Sequence, residues 1–354
     1  MIVRLCRWLP LAGVCVLAYL ASIPADACCP AGPKGKPVVN ADQTVVILWD
    51  AANKTQHFIR QASFKSEADD FGFLVPSPTQ PELEESGNDA FATLKRITAP
   101  EIKRVPRPLN EKKDDDKSPP KKSKDFVKVL DQKLVAGFNA AVLETNSTAA
   151  LVKWLKDNGY AFSPEVEAWA KPYVDQGWKI TALKVAKDEN SKNNKTVSSA
   201  ALRLTFKTDR PLFPYREPDY KETAGALGAK SRLLRIFFVA EARYEGTLTE
   251  KQRWTGEVAW AGKVSAADRK KLLEQFKLPE KTGAEQWYLT EFEDNWPYKV
   301  APADVYFARV ANQKDVRRDP IIEYVSAPRS DAFPLFAFAA FAGVTAMIGW
   351  RRRS

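Results

Sequence analysis

Two glutamates in an aromatic stretch near the end of the chain are the first candidates for chemistry. Glu291 and Glu293 lie in "QWYLTEFEDNWPY", residues 286–298, among tryptophan, tyrosine and phenylalanine side chains. Glycoside hydrolysis requires two carboxyl groups brought together in space, and sugars favour aromatic surroundings. The stretch therefore allows a carboxylate-based hydrolase with a glycan or peptide substrate. A surface strand with charged edges explains the same residues, so both interpretations stay open.

His57 is the only histidine among 354 residues. A serine or cysteine protease of the usual kind needs a base beside its nucleophile, so any such triad would have to use this residue. On "TQHFIRQASF" it shares a face with Ile59, Gln61 and Ser63, which predicts a partly exposed strand residue. Clustered metal-ligand residues and phosphate-binding glycine loops are missing from the sequence, so we expect no metal and no nucleotide cofactor.

The cysteines do not provide a disulfide framework. Of four cysteines, Cys6 and Cys15 fall in an N-terminal segment that we expect to be removed, which leaves Cys28 and Cys29. These adjacent thiols could form a vicinal disulfide, pair with another molecule or remain free, and Cys28 could also carry a lipid. The hydrophobic core must therefore hold the fold together.

A proline ladder follows an aromatic strand in "FGFLVPSPTQPEL", residues 71–83. Prolines end strands, enforce extended geometry and protect sheet edges, which is the structural interpretation. The functional interpretation is a ligand-docking groove. Its residues would be Phe71, Phe73, Pro76, Pro78 and Pro81.

Alternation of polar and apolar residues predicts the strands that would position these groups. "SAALRLTFK", residues 199–207, reads as a half-buried strand, and "LLRIFFVAEARY", residues 233–244, repeats the pattern with Arg235 and Arg243 pointing away from the core. The strands expected at Thr44–Trp49 and His57–Phe64 should form a hairpin across Asp50–Lys54. Further strands are expected at Thr44–Trp49, His57–Phe64, Phe71–Val75, Trp178–Val185, Trp287–Phe292 and Val305–Val310.

Helices are fewer and have recognisable ends. Thr148–Asp157 stops at an Asn-Gly pair, and a second helix opens at Ser163-Pro164 and should kink or end at Pro172. Two more are expected at Ala266–Phe276 and Asp89–Ile97. Hairpin-linked strands with scattered helices predict an α+β fold with antiparallel sheets and a few packed helices.

The two ends of the chain have the features of targeting and membrane-anchoring segments. Residues 1–27 combine an early positive charge, an apolar stretch and an Ala-x-Ala cleavage site, which predicts a secretory signal. Residues 332–350 are 19 uncharged positions that would span about 28 Å as a helix. Three arginines follow within residues 351–354, and the positive-inside rule puts them in the cytoplasm. A buried helix or a processed sorting tail are the alternatives for residues 332–350.

These two segments predict an exported, singly anchored protein in which residues 28–331 form an extracytoplasmic α+β domain. The signal and the tail carry net charges of +1 and +3, so the exported part keeps +6 of the total +10. That charge suits an anionic envelope polymer or another envelope protein as partner, beside the membrane itself, and nucleic acid is not expected. Residues 107–125 are dense in Lys, Asp and Pro and should form an exposed loop.

Several stretches between about Asn40 and Tyr215 resemble the bacterial domain-of-unknown-function family 2330. They are "FGFLVP" with its proline ladder, "AFATLKRITAP" at 90–100, "LVKWLKDNGYAFSPEVEAWAKPYVDQGWKITALKV" at 151–185 and "ALRLTFKTDRPLFPY" at 201–215. The likeness fades beyond Tyr215. It implies an exported bacterial envelope domain, often with a C-terminal anchor, and supplies no catalytic residue. We therefore expect a binding or structural envelope protein, with an envelope hydrolase as the alternative.

Overall fold

The structure is a computed structural model. It describes residues 29–31, 43–60, 63–65, 72–106, 136, 138–160, 164–185, 196–198, 201–218, 231–248, 252–297 and 303–325. Outside these ranges lie the predicted signal, Cys28, Phe71, the charged loop 107–125, and residues 332–350 and 351–354. Among the described residues, no helix has both the length and the apolar character needed to cross a bilayer. The predicted transmembrane helix at 332–350 therefore stays a prediction.

In the described ranges the chain forms strands β1 to β18 and helices α1 to α4. The strands are β1 (Cys29–Ala31), β2 (Gln43–Asp50), β3 (Thr55–Arg60), β4 (Ser63–Lys65), β5 (Gly72–Ser77), β6 (Glu82–Ser86), β7 (Ile102–Pro106), β8 (Phe138–Leu143), β9 (Lys179–Val185), β10 (Thr196–Ser198), β11 (Ala201–Lys207), β12 (Leu212–Phe213), β13 (Ser231–Ala240), β14 (Tyr244–Thr247), β15 (Glu257–Lys263), β16 (Tyr288–Pro297), β17 (Val305–Arg309) and β18 (Ile321–Val325). The helices are α1 (Asp89–Ile97), α2 (Thr148–Asp157), α3 (Pro164–Asp175) and α4 (Ala266–Phe276).

The α+β class is confirmed, and the chain divides into two compact units. One lies within residues 1–99 and 127–318, and the other within residues 100–126 and 319–354. The first unit contains a seven-stranded sheet in the order β15-β16-β13-β2-β3-β11-β6. The predicted hairpin joins β2 and β3. The sheet is mixed rather than antiparallel throughout, because β13 pairs in parallel with β2.

Strands at the centre of this sheet are buried on both faces, which corrects the expectation of half-buried strands. In β13, Ile236 and Phe238 pack into one apolar cluster while Phe237 and Val239 pack into another. The second cluster includes side chains of α1 and α4, so helices cover the face that the alternation had assigned to solvent. Burying such a side chain stabilises the fold by about 1.5–3 kcal/mol.

The long strand predicted for residues 233–244 is interrupted. β13 ends at Ala240 and β14 begins at Tyr244, which belongs to a separate three-stranded sheet ordered β12-β17-β14. The side chain of Gln313 holds the turn, because its Oε1 accepts from Arg243 N at 2.8 Å and its Nε2 donates to the Arg243 carbonyl at 3.1 Å. A side chain distant in sequence therefore replaces the strand pairing that the alternation predicted.

A four-stranded sheet in the order β1-β5-β9-β8 shares a third apolar cluster with α2 and α3. α2 has the predicted bounds and is capped by Ser147, whose Oγ accepts from the backbone N–H of Ala150. α3 does not end at Pro172 but continues to Asp175. Tyr173 and Val174 are buried beyond the proline, and this packing stabilises the last turn despite the missing hydrogen bond. The remaining paired strands are β4 with β10, and β7 with β18 in the second unit.

Candidate functional site

The two predicted carboxylates, Glu291 and Glu293, share two arginines on the seven-stranded sheet. Arg235 of β13 lies 2.8 Å through Nε from Glu291 Oε1 and 2.7 Å through Nη2 from Glu293 Oε1. Arg318 Nη2 lies 2.9 Å and 2.7 Å from the same two oxygens, and its Nε donates to the Thr98 carbonyl at 3.2 Å. These four charged side chains, which we call the arginine–glutamate cluster, neutralise one another.

The electrostatics of this cluster do not suit a general acid. Burial raises the pKa of Glu293, but hydrogen bonds from Arg318 and Arg235 outweigh it and hold the pKa below its usual value. The same contacts raise the pKa of Arg318 although burial opposes this. A glycosidase acid needs a raised pKa, and Glu291 is only 1% exposed. The cluster therefore has the properties of a structural ion-pair network.

Asp294, the next acid along β16, organises the aromatic residues around it. Its Oδ2 accepts from the Tyr215 hydroxyl and from Trp254 Nε1, each at 2.9 Å, and its Oδ1 accepts from Thr255 Oγ1 at 2.7 Å. Asp294 is fully buried, and the aromatic ring of Phe292 is 1% exposed. The described aromatic side chains of this stretch, Trp287, Tyr288 and Phe292, therefore belong to the core rather than to an exposed platform for a sugar.

The proline ladder is largely buried. Phe73 is 1% exposed and packs edge-on against Phe138, with ring centroids 5.2 Å apart. Pro76 and Pro81 are also buried, and only Pro78 is half-buried. A groove open to a ligand needs exposure that most of these side chains lack. Pro76 pairs with Ile180 of β9 and lies past the residues of β5 that pair with β1.

Of the two cysteines expected in the exported chain, one lies on a described strand. Cys29 lies in β1, which pairs with β5 through Cys29 and Leu74, but its side chain is outside the description. Cys28 lies outside the described residues altogether. The choice between a disulfide, a lipid and a free thiol therefore stays as the sequence left it.

A pocket that the sequence did not predict surrounds His57. It has a volume of about 270 Å³ and lies at the end of the β2–β3 hairpin, beside the end of β11 and the loop that follows α4. Its lining residues are Asp50, Asn53, Thr55, His57, Lys207, Pro279, Lys281 and Thr282. We call it the His57 pocket.

Cross-strand register brings the polar groups of this pocket together. Thr55 of β3 pairs with Asp50 of β2 on one side and with Lys207 of β11 on the other, while His57 pairs with Thr205. Side chains two residues apart on a strand share a face, so these groups all lie on the face that α4 covers further along. Their alternation with apolar residues was visible in the sequence, but their proximity required the strand order.

His57 is buried, 8% exposed, rather than partly exposed as predicted. Burial and the positive charge of Arg203 lower the pKa of His57 to about 4, so its imidazole is neutral at neutral pH. Nδ1 lies 2.9 Å from Thr205 Oγ1. Within the described part of the chain Nε2 makes no hydrogen bond. A base of such low pKa is poorly matched to neutral pH, so the ring is better suited to binding than to proton transfer.

The charged side chains of the pocket differ in how much hydrogen-bonding capacity they keep for a ligand. The Asp50 carboxylate accepts from Asn53 N at 3.1 Å and from Asn53 Nδ2 at 2.8 Å. These bonds and one from the Gly283 N–H lower the pKa of Asp50, although burial raises it. Lys207 Nζ donates to the Asn53 carbonyl and to Thr55 Oγ1, each at 2.8 Å. Asp50 is therefore committed to its turn, while Lys207 is oriented and keeps one N–H.

Metal binding finds no support in the described ranges. Histidine, cysteine and carboxylate side chains form no group of three there that could hold an ion.

Comparisons with known proteins identify a family. A search of curated proteins found no match. Two solved chains match, one of them the crystal structure of baculovirus P35, which is 10% identical with a TM-score of 0.33 over 79% of this chain and 96% of that one. A similarity of that size is too low to transfer a fold or a function.

The profile of the family described as "uncharacterized protein conserved in bacteria", DUF2330, matches residues 23–308. The resemblance inferred from the sequence motifs is confirmed, and the expectation that it fades beyond Tyr215 is wrong, because the match continues for a further 93 residues to position 308. It includes β13 and β16, which carry most of the arginine–glutamate cluster, and both strands of the β2–β3 hairpin. This chain therefore belongs to the bacterial family DUF2330.

Proposed function

We propose that this protein is a membrane-anchored, extracytoplasmic binding protein of the bacterial envelope whose ligand carries anionic groups. The proposed location is based on the signal-like residues 1–27 and on the uncharged run 332–350 with the arginines that follow it. The observation that carries the binding activity is the His57 pocket, where an oriented lysine and a neutral histidine line an open cavity.

The anionic nature of the ligand follows from the groups that remain available in the pocket. Lys207 keeps one N–H after its two hydrogen bonds, and the loop after α4 adds Lys281 and Thr282 to the lining. The one carboxylate of the lining, Asp50, is already bonded to Asn53 and Gly283. A phosphate or carboxylate group of an envelope polymer would find donors here, because the two lysines of the lining outnumber its one negatively charged carboxylate.

A carboxylate-based hydrolase is the alternative from the sequence. One observation favours it: Glu291 Oε2 is buried and has no hydrogen-bond partner among the described side chains and backbone. Against it stand the 1% exposure of Glu291 and the ion pairs of both glutamates. We therefore assign the cluster to the fold and the pocket to the ligand.

The binding test uses the full chain in detergent with two labelled probes, poly(glycerol phosphate) and polygalacturonate. Changing both Lys207 and Lys281 to Met should weaken binding of at least one probe about tenfold or more, since each lost charged hydrogen bond is worth about 1.5–3 kcal/mol. Lys171→Met, which removes an exposed lysine of α3, is the matched control and should bind like the parent protein. Equal affinity of the double variant and the control would contradict the pocket.

Turnover is measured on the same probes and on wall glycans and peptides. The proposal expects none. Hydrolysis that disappears in Glu291→Gln or Glu293→Gln would instead establish the alternative.

The proposed location is tested by the intact mass of protein extracted from membranes, which shows whether each terminal segment has been removed. The expected mass lacks residues 1–27 and retains the C-terminal run. Full-length protein with its first Met, freely soluble in the cytosol, would contradict the proposed location.

A further inference from the structure

The large apolar side chains that the described residues leave exposed are gathered on one short element. They are Ile102 (59% exposed), Ile321 (54%), Ile322 (44%), Tyr324 (51%) and Val325 (39%). All belong to the two-stranded ribbon of β7 and β18 in the second unit. Ile322 and Tyr324 lie on one face of the ribbon, and Ile102, Ile321 and Val325 lie on the other. A two-stranded sheet is at best marginally stable in water, and clustered exposed apolar residues mark interaction surfaces. The β7–β18 ribbon is therefore expected to have a partner.

The pairing of the ribbon gives it a direction. β7 and β18 are parallel, with Ile321 opposite Ile102 and Val325 opposite Pro106, so both strands end at the same end of the ribbon. Arg104 Nε bonds Glu323 Oε2 at 2.9 Å, and this pair cancels the acid on β18. Lys103, which is exposed, forms no ion pair with the described residues. The ribbon thus combines apolar side chains with a net positive charge.

The chain beyond β18 identifies what the ribbon can reach. Six residues separate Val325 from Ala332, where the uncharged run begins. Even fully extended, these residues span at most about 25 Å. If the run crosses the bilayer as proposed above, the end of the ribbon at Val325 is tethered within about 25 Å of the lipid headgroups.

We propose that the β7–β18 ribbon is an interfacial membrane-contact element that lies on the anionic headgroups next to the anchor. Ile322 and Tyr324 alternate with Glu323 and share a face with Lys103 and Val105 of β7. On that face the isoleucine and tyrosine insert at the headgroup level, where amphipathic aromatic rings are favoured, and the lysine meets lipid phosphate. This inference rests on the proposed function for its anchor and adds a second, separable contact.

The test uses the full chain reconstituted into vesicles of phosphatidylcholine with phosphatidylglycerol. All four native cysteines, Cys6, Cys15, Cys28 and Cys29, are changed to Ser, and an environment-sensitive fluorophore is attached at Tyr324→Cys. Glu167→Cys, an exposed position of α3, carries the same label in the matched control. Unchanged thermal unfolding of both labelled proteins shows that they are folded.

The expected result is a blue-shifted emission at position 324, quenching by lipids spin-labelled near the headgroup, and a several-fold loss of iodide access. The control should stay accessible to iodide. Replacing phosphatidylglycerol with phosphatidylcholine alone, or changing Lys103 to Gln, should weaken the protection of position 324 without releasing the protein from the vesicles.

Two outcomes would overturn the inference while leaving the anchor intact. One is an integrated protein whose label at position 324 is as accessible as the control. The other is energy transfer between labelled copies without lipid quenching, which would make a second copy of the chain the occupant of the ribbon. Protein that fails to remain with the vesicles after alkaline extraction would instead contradict the proposed anchor itself.

Discussion

The arginine–glutamate cluster and the His57 pocket lie on the same face of the seven-stranded sheet, near opposite ends of β2. Arg235 is opposite Thr44 and His57 is opposite Leu48. In the cluster, two glutamates and two arginines form ion pairs with one another. In the pocket, an oriented lysine and a neutral imidazole lie beside open space. The number of charged residues therefore does not identify a site, whereas the hydrogen-bonding capacity left unused does.

The largest effect should come from opening the cluster. Arg235→Met leaves Glu291 buried with one arginine instead of two, and breaking a buried pair of this kind costs about 3–5 kcal/mol. Urea unfolding measures the change in the free energy of unfolding. Arg253→Met, which removes an exposed arginine, is the control and should stay within about 0.5 kcal/mol of the parent. Equal losses in the two variants would mean that the cluster is not structural.

Acid should destabilise the pocket region through His57. Its pKa is lowered from 6.5 to about 4 in the folded state, so between these values the unfolded chain binds the proton more tightly. The stabilisation is complete above pH 6.5 and is lost as the pH falls to 4, a change of about 3 kcal/mol. The free energy of unfolding measured across this range should fall less steeply for His57→Gln. Parallel curves for the two proteins would contradict a buried neutral imidazole.

Glu293→Gln should have an intermediate effect that depends on pH in a different window. The folded-state pKa of Glu293 lies below its ordinary value of 4.5, so its stabilisation is present above that value and is lost as the pH falls through the lowered one. At neutral pH we expect a loss of about 1.5–3 kcal/mol, the range for a charged hydrogen bond. Below the lowered pKa the variant and the parent should converge in the same unfolding experiment. A constant difference at all pH values would point to packing instead of charge.

The smallest effect on stability should come from the open site. Lys207 is exposed, and among the described residues its ammonium donates hydrogen bonds to Asn53 and Thr55 alone, so Lys207→Met should change the free energy of unfolding by less than about 1 kcal/mol. The same variant should still weaken binding of the anionic probe. A large stability loss without a binding loss would assign Lys207 to the fold and remove the contrast with the cluster.

Local structure was well predicted where neighbouring residues decide it. The bounds of α1, α2 and α4 agree with the sequence expectation, because a cap residue such as Ser147 or Ser265 and the helical apolar spacing lie within one short segment. Of the kink or end expected at Pro172, the end is wrong, since α3 continues to Asp175 and the burial of Tyr173 offsets the lost hydrogen bond. The interrupted strand at Ala240 was missed because its cause, Gln313, lies some seventy residues away.

The candidate residues divide in the same way. Glu291 and Glu293 were recognisable as acids among aromatic residues, but their arginine partners came from β13 and from Arg318, which spacing cannot reveal. His57 was noted as the single histidine, yet its pocket depends on β11 pairing with β3 and on the loop after α4.

By itself the sequence determined the α+β class, most of the helices and strands, the family and the apolar run near the C-terminus, because each is written in local spacing or composition. Only the tertiary structure decided that β13 runs parallel to β2, that both sheet faces are covered, and which charges neutralise one another. The physical reason is that burial and ion pairing depend on distances between residues far apart in the chain, and a one-dimensional pattern does not contain those distances.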